Sequence, residues 1–119
     1  MSTLQNQNFI AYQQPALTNT LVLLRAGVSN LWGWNLTNTN AAIAFVQCFN
    51  AASTGAVTLG TTAPDFIIAI PTGSGSQVFN MNNEENIQCF PLGLVVAATT
   101  TATGSTGLGS AINTTFYVD

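Results

Sequence analysis

Short runs of β-branched and aromatic residues, separated by Gly, Asn, Thr and Pro, recur along the chain from Thr20 onward. Few stretches have the periodicity of a helix, and the spacing of the runs is typical of sandwiches and barrels. At 119 residues the chain fits one domain. We therefore predict an all-β, single-domain β-sandwich, jelly-roll-like, of about eight strands. The predicted strands are 20–27, 30–37, 42–49, 56–60, 65–70, 77–81, 86–91 joined loosely to 93–99, and 111–118.

The first 19 residues are rich in Gln and Asn and show no clean period. We predict that residues 1–19 form an extended N-terminal arm and that residues 20–119 form the sandwich. Four apolar residues of the arm are Phe9, Ile10, Tyr12 and Leu17. Because these side chains are too apolar for a purely solvated tail, we expect the arm to pack along its own domain or along an adjacent subunit.

The run 42–49 alternates with a period of two. One face holds Ile43, Phe45, Gln47 and Phe49, and the other holds Ala44, Val46 and Cys48. Both faces are largely apolar, which is expected for a strand in the middle of a sandwich or against a subunit interface, and the same argument covers residues 66–70.

Two Trp residues, Trp32 and Trp34, are predicted to project from the same face of their strand. We interpret them as core aromatics. The alternative is a solvent-facing platform for a sugar, to which Tyr12 and Tyr117 would contribute.

Two cysteines, Cys48 and Cys89, allow one intrachain disulfide, which would stabilise the fold by about 4 kcal/mol in chain-entropy models. Each lies in an apolar, strand-like run, and buried Cys commonly behaves as a small hydrophobic residue. We favour two free thiols in the core over a bridge.

Charged residues make up only 4% of the chain, where about 25% is usual. The net charge is −3 with a single cation, Arg25, so the chain has no basic surface for nucleic acid or anionic lipid. The longest apolar runs are far shorter than the roughly 20 residues that a membrane helix needs, and no secretion leader is recognisable. We expect neither nucleic-acid nor membrane binding.

The chain has no His and no Lys, which excludes Ser-His-Asp and Cys-His catalysis, the commonest zinc sites and Schiff-base chemistry. We expect no enzyme, no cofactor and no metal. Paired carboxylates or a calcium site among Asp65, Glu84 and Glu85 are the alternative. Because Glu84 and Glu85 are adjacent in a polar string, we assign them instead to an interface, together with Phe9, Ile10, Tyr12 and Leu17.

Residues 42–75 and 93–107 resemble small virion-associated proteins of tailed bacteriophages. The similar segments are "AFVQCFNA", "TLGTTAPD", an Ile-Pro strand and "GLVVAATTTATG". The resemblance implies a capsid cement or decoration protein that binds the outer capsid surface between major-capsid subunits and stabilises the shell. It implies no catalytic residues.

The partners expected on this basis are the major capsid protein and further copies of the chain, as a homo-oligomer and most simply a trimer about a local threefold axis. The expected location is the capsid surface of the virion, after synthesis in the host cytoplasm. Two alternatives remain: a tail, neck or fibre structural module, and a carbohydrate-binding adhesive module.

Overall fold

The computed structural model describes residues 10–79 and 87–119. This part of the chain contains nine β-strands, a single 3-10 turn and no α-helix. The strands are β1 (Ile10–Leu17), β2 (Val22–Ala26), β3 (Ser29–Asn38), β4 (Ala44–Asn50), β5 (Phe66–Ile70), β6 (Ser74–Phe79), β7 (Gln88–Phe90), β8 (Gly93–Thr99) and β9 (Ile112–Val118). The all-β prediction is confirmed.

The strands form two antiparallel sheets. The first sheet has the order β1-β9-β3-β6, with β7 also paired to β3, and the second has the order β2-β8-β4-β5. Strand β6 pairs with residues 33–38 of β3 and β7 pairs with residues 29–31, so β6 and β7 act as one interrupted strand along the same edge.

The pairings describe one long antiparallel hairpin folded over on itself. Strand β1 pairs with β9, β2 with β8, β3 with β6 and β7, and β4 with β5. Two further pairings, β3 with β9 and β4 with β8, complete the sheets when the hairpin wraps round. This is the connectivity of a jelly roll, as predicted.

The main core lies between the two sheets. Its largest fully buried members are Leu17, Leu31, Leu36, Ile70, Phe90, Leu94, Ile112 and Phe116. Ala44, Val46 and Cys48 face this core from β4, as the period of two predicts. Burial of these side chains is the main stabilising contribution to the fold.

Part of the outer face of the second sheet is covered by the chain itself, while Leu23 and Ile67 on this face are exposed. Phe49 of β4 and Val95 of β8 pack with Ala51 and Val57, which belong to the loop 51–65. On the same face of central β4, Gln47 is fully buried and binds the loop that follows β8, whereas Phe45 is partly exposed. Both faces of β4 are therefore largely buried within a single chain, and β4 is a central strand, as predicted. The same expectation is wrong for residues 66–70, because β5 is an edge strand whose Ile67 and Ala69 are exposed.

The predicted strand 56–60 is wrong. The chain forms a 3-10 turn at Thr54–Ala56 and then a tight turn in which the N–H groups of Thr61 and Thr62 donate to Thr58 O, at 2.9 and 2.8 Å. Val57 is buried because it packs on the second sheet from the loop 51–65. A buried apolar residue at this position therefore does not indicate a strand.

The segment 10–17, assigned to the arm from sequence, is the edge strand β1 of the sandwich. It pairs with β9 from Ile10 opposite Val118 to Leu17 opposite Ile112. Pro15 lies in a β-bulge of this edge strand, where a missing N–H is tolerated. The sandwich therefore includes residues 10–17, while residues 1–9 of the predicted arm lie outside the described residues.

Candidate protein interface

The six predicted interface residues have different positions. Ile10 is 49% exposed, Tyr12 is half-buried against the core, and Leu17 is 1% exposed within it. Leu17 is therefore a core residue in the folded chain and its side chain cannot reach a partner. Phe9, Glu84 and Glu85 lie outside the described residues.

The most exposed large apolar side chains lie together at one end of the sandwich. Val28, 59% exposed, lies in the turn between β2 and β3, and Leu92, 56% exposed, lies in the turn between β7 and β8. The two turns are joined because Gly27 N donates to Leu92 O at 3.1 Å. Val28, Leu92 and the exposed Pro91 form a surface that we call the apolar end.

Hydrogen bonds hold the Leu92 turn rigidly. Leu92 N donates to Asn50 Oδ1 at 2.7 Å, and Asn50 N donates to Asp65 Oδ2 at 2.7 Å. Gly93, with φ of +147°, lies so close to the end of β4 that a Cβ would be 2.5 Å from Ala51 O. Because these contacts fix the turn, a partner that contacted Leu92 would cost little conformational entropy in its backbone.

All three charged residues that the structure describes lie at this end. Asp65 binds Asn50 N, as above, and Arg25 lies opposite Leu94 in the β2–β8 ladder, two residues from Leu92. Asp119 follows β9 and accepts a hydrogen bond from Asn30 Nδ2 at 3.0 Å. The apolar end thus combines exposed apolar side chains with charges of both signs.

The opposite end of the sandwich is neutral and polar. Asn38 is fully buried there, and its Nδ2 donates to the carbonyl oxygens of Ala42, Ile70 and Pro71 at 3.0 to 3.2 Å. Its Oδ1 accepts from Asn40 N at 3.0 Å. These bonds satisfy backbone groups of neighbouring turns, so they are structural and leave no convergent polar groups for a ligand.

The described residues offer little for catalysis. They contain no pocket and no cluster of three His, Cys, Asp or Glu side chains that could hold a metal. The carboxylate of Asp65 is used by the backbone of Asn50. No helix in the described ranges is long and apolar enough to cross a membrane.

The two cysteines are free, as predicted, but only one is in the core. Burial raises the pKa of the Cys48 thiol, and the nearby Asp65 carboxylate raises it further, so this thiol is protonated and unreactive. Cys89 is exposed, because the register of β7 directs Phe90 into the core and Cys89 away from it. The core assignment of Cys89 is therefore wrong.

Both Trp residues are buried, so neither offers a ring to a sugar. Trp34 lies in the core, 5.7 Å from the Phe66 ring, and its Nε1 donates to Ser76 Oγ at 3.1 Å. The ladder shifts between Leu31 and Gly33, and this bulge interrupts the alternation, so Trp32 is not a member of the core cluster to which Trp34 belongs. Both side chains are buried, as the core interpretation expects, and the prediction that they share one face stays a prediction.

The sequence analysis did not single out Val28 and Leu92 as exposed apolar residues. Each is an apolar residue beside a glycine of positive φ, Gly27 at +78° and Gly93 at +147°. An apolar residue next to such a turn glycine is a signal for exposure, because turn residues lie at the surface.

Comparisons with known protein families, with curated proteins and with solved structures find no match to this chain.

Proposed function

We propose that this chain is a capsid cement or decoration protein of a tailed bacteriophage, which binds the outer shell between major-capsid subunits. The apolar end is the surface that contacts the shell. The single observation that carries this assignment is the exposure of Val28 and Leu92 on turns that are fixed by hydrogen bonds. Exposed apolar side chains at fixed positions are characteristic of surfaces that bind protein.

The expected affinity of one copy is modest. Val28 and Leu92 are each already partly covered, so completing their burial contributes roughly 1 kcal/mol apiece. Joining copies in an oligomer raises the effective affinity, since the second copy binds in an intramolecular step once the first is in place. A chain with 4% charged residues gains little electrostatic steering, so binding should depend weakly on salt.

The phage resemblance and the apolar end involve different parts of the fold. Residues 42–75 comprise β4, the loop 51–65 and β5, and residues 93–107 comprise β8 and part of its following loop. The resemblance therefore concerns the second sheet and its covering loops, which form the scaffold. Within the proposal, the turns at Val28 and Leu92 supply the contact that is particular to this chain.

Binding to isolated shells tests the contact. Expanded shells that lack the protein are mixed with the full chain, and co-sedimentation is measured for the wild type and for the Val28→Asp/Leu92→Asp variant. A matched control is Ile43→Asp, an apolar-to-acid change at the opposite, polar end. We expect the wild type and the control to bind, and the double variant to bind at least tenfold more weakly; equal binding of all three would reject the apolar end as the contact.

The number of copies on purified particles of the encoding phage tests where on the virion the protein is bound. A stained gel that shows hundreds of copies supports a head decoration. A few to a few dozen copies indicates a tail, neck or fibre module instead, and absence from particles rejects the proposal.

A further inference from the structure

Edge strands expose unpaired backbone groups, and proteins usually protect them against pairing with other chains. The sandwich has four edges: β1 and the β6–β7 strand in the first sheet, and β2 and β5 in the second. Their protection differs.

Three of the edges are protected. Strand β5 has five residues and lies between Pro64 and Pro71. Strand β2 contains a bulge between Leu23 and Arg25, and Arg25 is the only cation of the chain. In the described part of the chain, the β6–β7 edge consists of two short strands of six and three residues. Short length, proline, bulges and charge are the known devices against edge pairing.

The first half of β1 has none of these devices. Residues 10–14 pair with β9 without a bulge, contain no charged residue, and precede Pro15. In the described part of the chain β1 pairs only with β9, and no described strand lies along its other edge. Ala11 and Gln13 are exposed on the outer side of the sheet.

The inner side of this half-strand is incompletely covered. Ile10 lies opposite Val118 and Tyr12 lies opposite Phe116, and both partners are fully buried in the core. Ile10 and Tyr12 therefore face the core side of the sheet. Ile10 is nevertheless 49% exposed and Tyr12 is half-buried, because the sheet ends at this strand.

We infer that β1 pairs antiparallel with β1 of a second copy, which makes one continuous sheet across a twofold axis. A second copy fits because an antiparallel pairing is self-complementary, and because residues 10–17 bring no charges to repel their counterparts. Ile10 and Tyr12 of each copy cover those of the other. The inference concerns the oligomer alone and does not depend on the capsid proposal.

The size of this contact predicts a weak dimer. Five paired residues span about 17 Å and supply about five interchain hydrogen bonds. Such a contact buries much less than the roughly 800 Å² per partner of a standard stable interface. Dimers should therefore form in a concentration-dependent manner. The inferred oligomer has two copies, whereas the expectation based on the resemblance is a trimer.

Sedimentation velocity of the full chain over a wide concentration range tests the inference. The edge variant is Ala11→Lys/Gln13→Lys, which places like charges opposite each other across the twofold axis. The control is Asn35→Lys/Thr37→Lys, two exposed positions on the outer side of the central strand β3. We expect the wild type and the control to dimerise alike and the edge variant to dimerise at least tenfold more weakly.

A cross-link provides a second measurement of the same contact. In a Cys89→Ala background, Ala11→Cys/Gln13→Cys should form disulfides between copies under mild oxidation, because residue 11 of one copy lies opposite residue 13 of the other when the antiparallel pair is centred on Tyr12. The matched pair Thr115→Cys/Tyr117→Cys on the neighbouring inner strand β9 should not. A monomer at all concentrations, a trimer, or an edge variant that dimerises like the wild type would each overturn the inference. Shell binding by a strictly monomeric protein would overturn it while leaving the capsid proposal intact.

Discussion

The Asn50 side chain fixes the turn that carries Leu92, because Asn50 Oδ1 accepts a hydrogen bond from Leu92 N at 2.7 Å. The backbone N–H of Asn50 in turn donates to Asp65 Oδ2 at 2.7 Å. Asn50 thus links three segments: it ends β4, its backbone N–H binds the end of the loop 51–65, and its side chain binds the turn between β7 and β8. The rigidity of the apolar end depends on this arrangement.

Replacing Asn50 with Ala should lower the free energy of unfolding by about 0.5 to 1.5 kcal/mol, because Leu92 N exchanges its side-chain acceptor for water. Urea unfolding measures the change. Thr54→Ala, at an exposed position of the loop 51–65, is the control and should change stability by less than about 0.5 kcal/mol. Equal stability of N50A and the wild type would show that the bond does not hold the turn.

Two glycines with positive φ at the apolar end should respond differently to Ala. A Cβ at Gly93 would lie 2.5 Å from Ala51 O and 2.9 Å from Arg25 O, so Gly93→Ala should cost roughly 3 kcal/mol or more. Gly27 has φ of +78° but no atom near its Cβ position, so Gly27→Ala should cost only the backbone strain of about 1 to 2 kcal/mol. The two unfolding free energies, compared in urea, test the difference; G27A as damaging as G93A would contradict it.

Gln47 should control the loop that follows β8. Gln47 Nε2 donates to Thr99 Oγ1 at 2.7 Å and to Gly104 O at 2.9 Å. The Thr99 hydroxyl in turn donates to Thr101 O. Gln47→Leu leaves Gly104 O without this donor, and we expect faster hydrogen exchange at Thr100 N, which donates to Thr106 O.

The cost of Gln47→Leu should be only about 1 to 2 kcal/mol, because Gln47 Oε1 is buried without a hydrogen-bond partner and its removal relieves an existing penalty. Asn19→Ala is the control, since Asn19 Nδ2 bonds Ser105 O of the same loop at an exposed site. Unchanged exchange at Thr100 in Q47L would show that the loop is held by other contacts.

The buried thiol of Cys48 should make stability depend on alkaline pH. Burial keeps the pKa of this thiol above its ordinary value of 9.0, so the folded chain retains a proton that the unfolded chain releases. The unfolded state then binds fewer protons, and the free energy of unfolding should fall by about 1.4 kcal/mol between pH 8 and pH 10. Below this range the contribution is fully present.

Cysteine variants isolate that effect. Cys48→Ala should be less stable than the wild type at neutral pH because it leaves a cavity, but its free energy of unfolding should no longer fall between pH 8 and pH 10. The free energy of unfolding of Cys89→Ala should still fall over this range. Urea unfolding at several pH values provides the comparison. A decline of the same size in C48A would assign it to other groups.

Local sequence pattern identified most of the sheet. Strands β3, β4, β5, β8 and β9 lie where runs of apolar and β-branched residues predict them, since alternation of side chains is a local property of a strand. Strand β1 was missed because its Gln residues and Pro15 conceal the alternation, and the segment 56–60 was misread because Val57 is buried under a loop.

The sequence by itself determined the all-β class, the burial of both faces of β4 and the absence of the residues that most catalytic sites require. Only the tertiary structure decided which apolar residues remain at the surface. Val28 and Leu92 are exposed because their turns are held by bonds between residues far apart in the chain, such as Asn50 with Leu92 and Gly27 with Leu92. The available edge of β1 likewise depends on which strands become neighbours, and pairing between distant segments is decided by the packing of the whole chain.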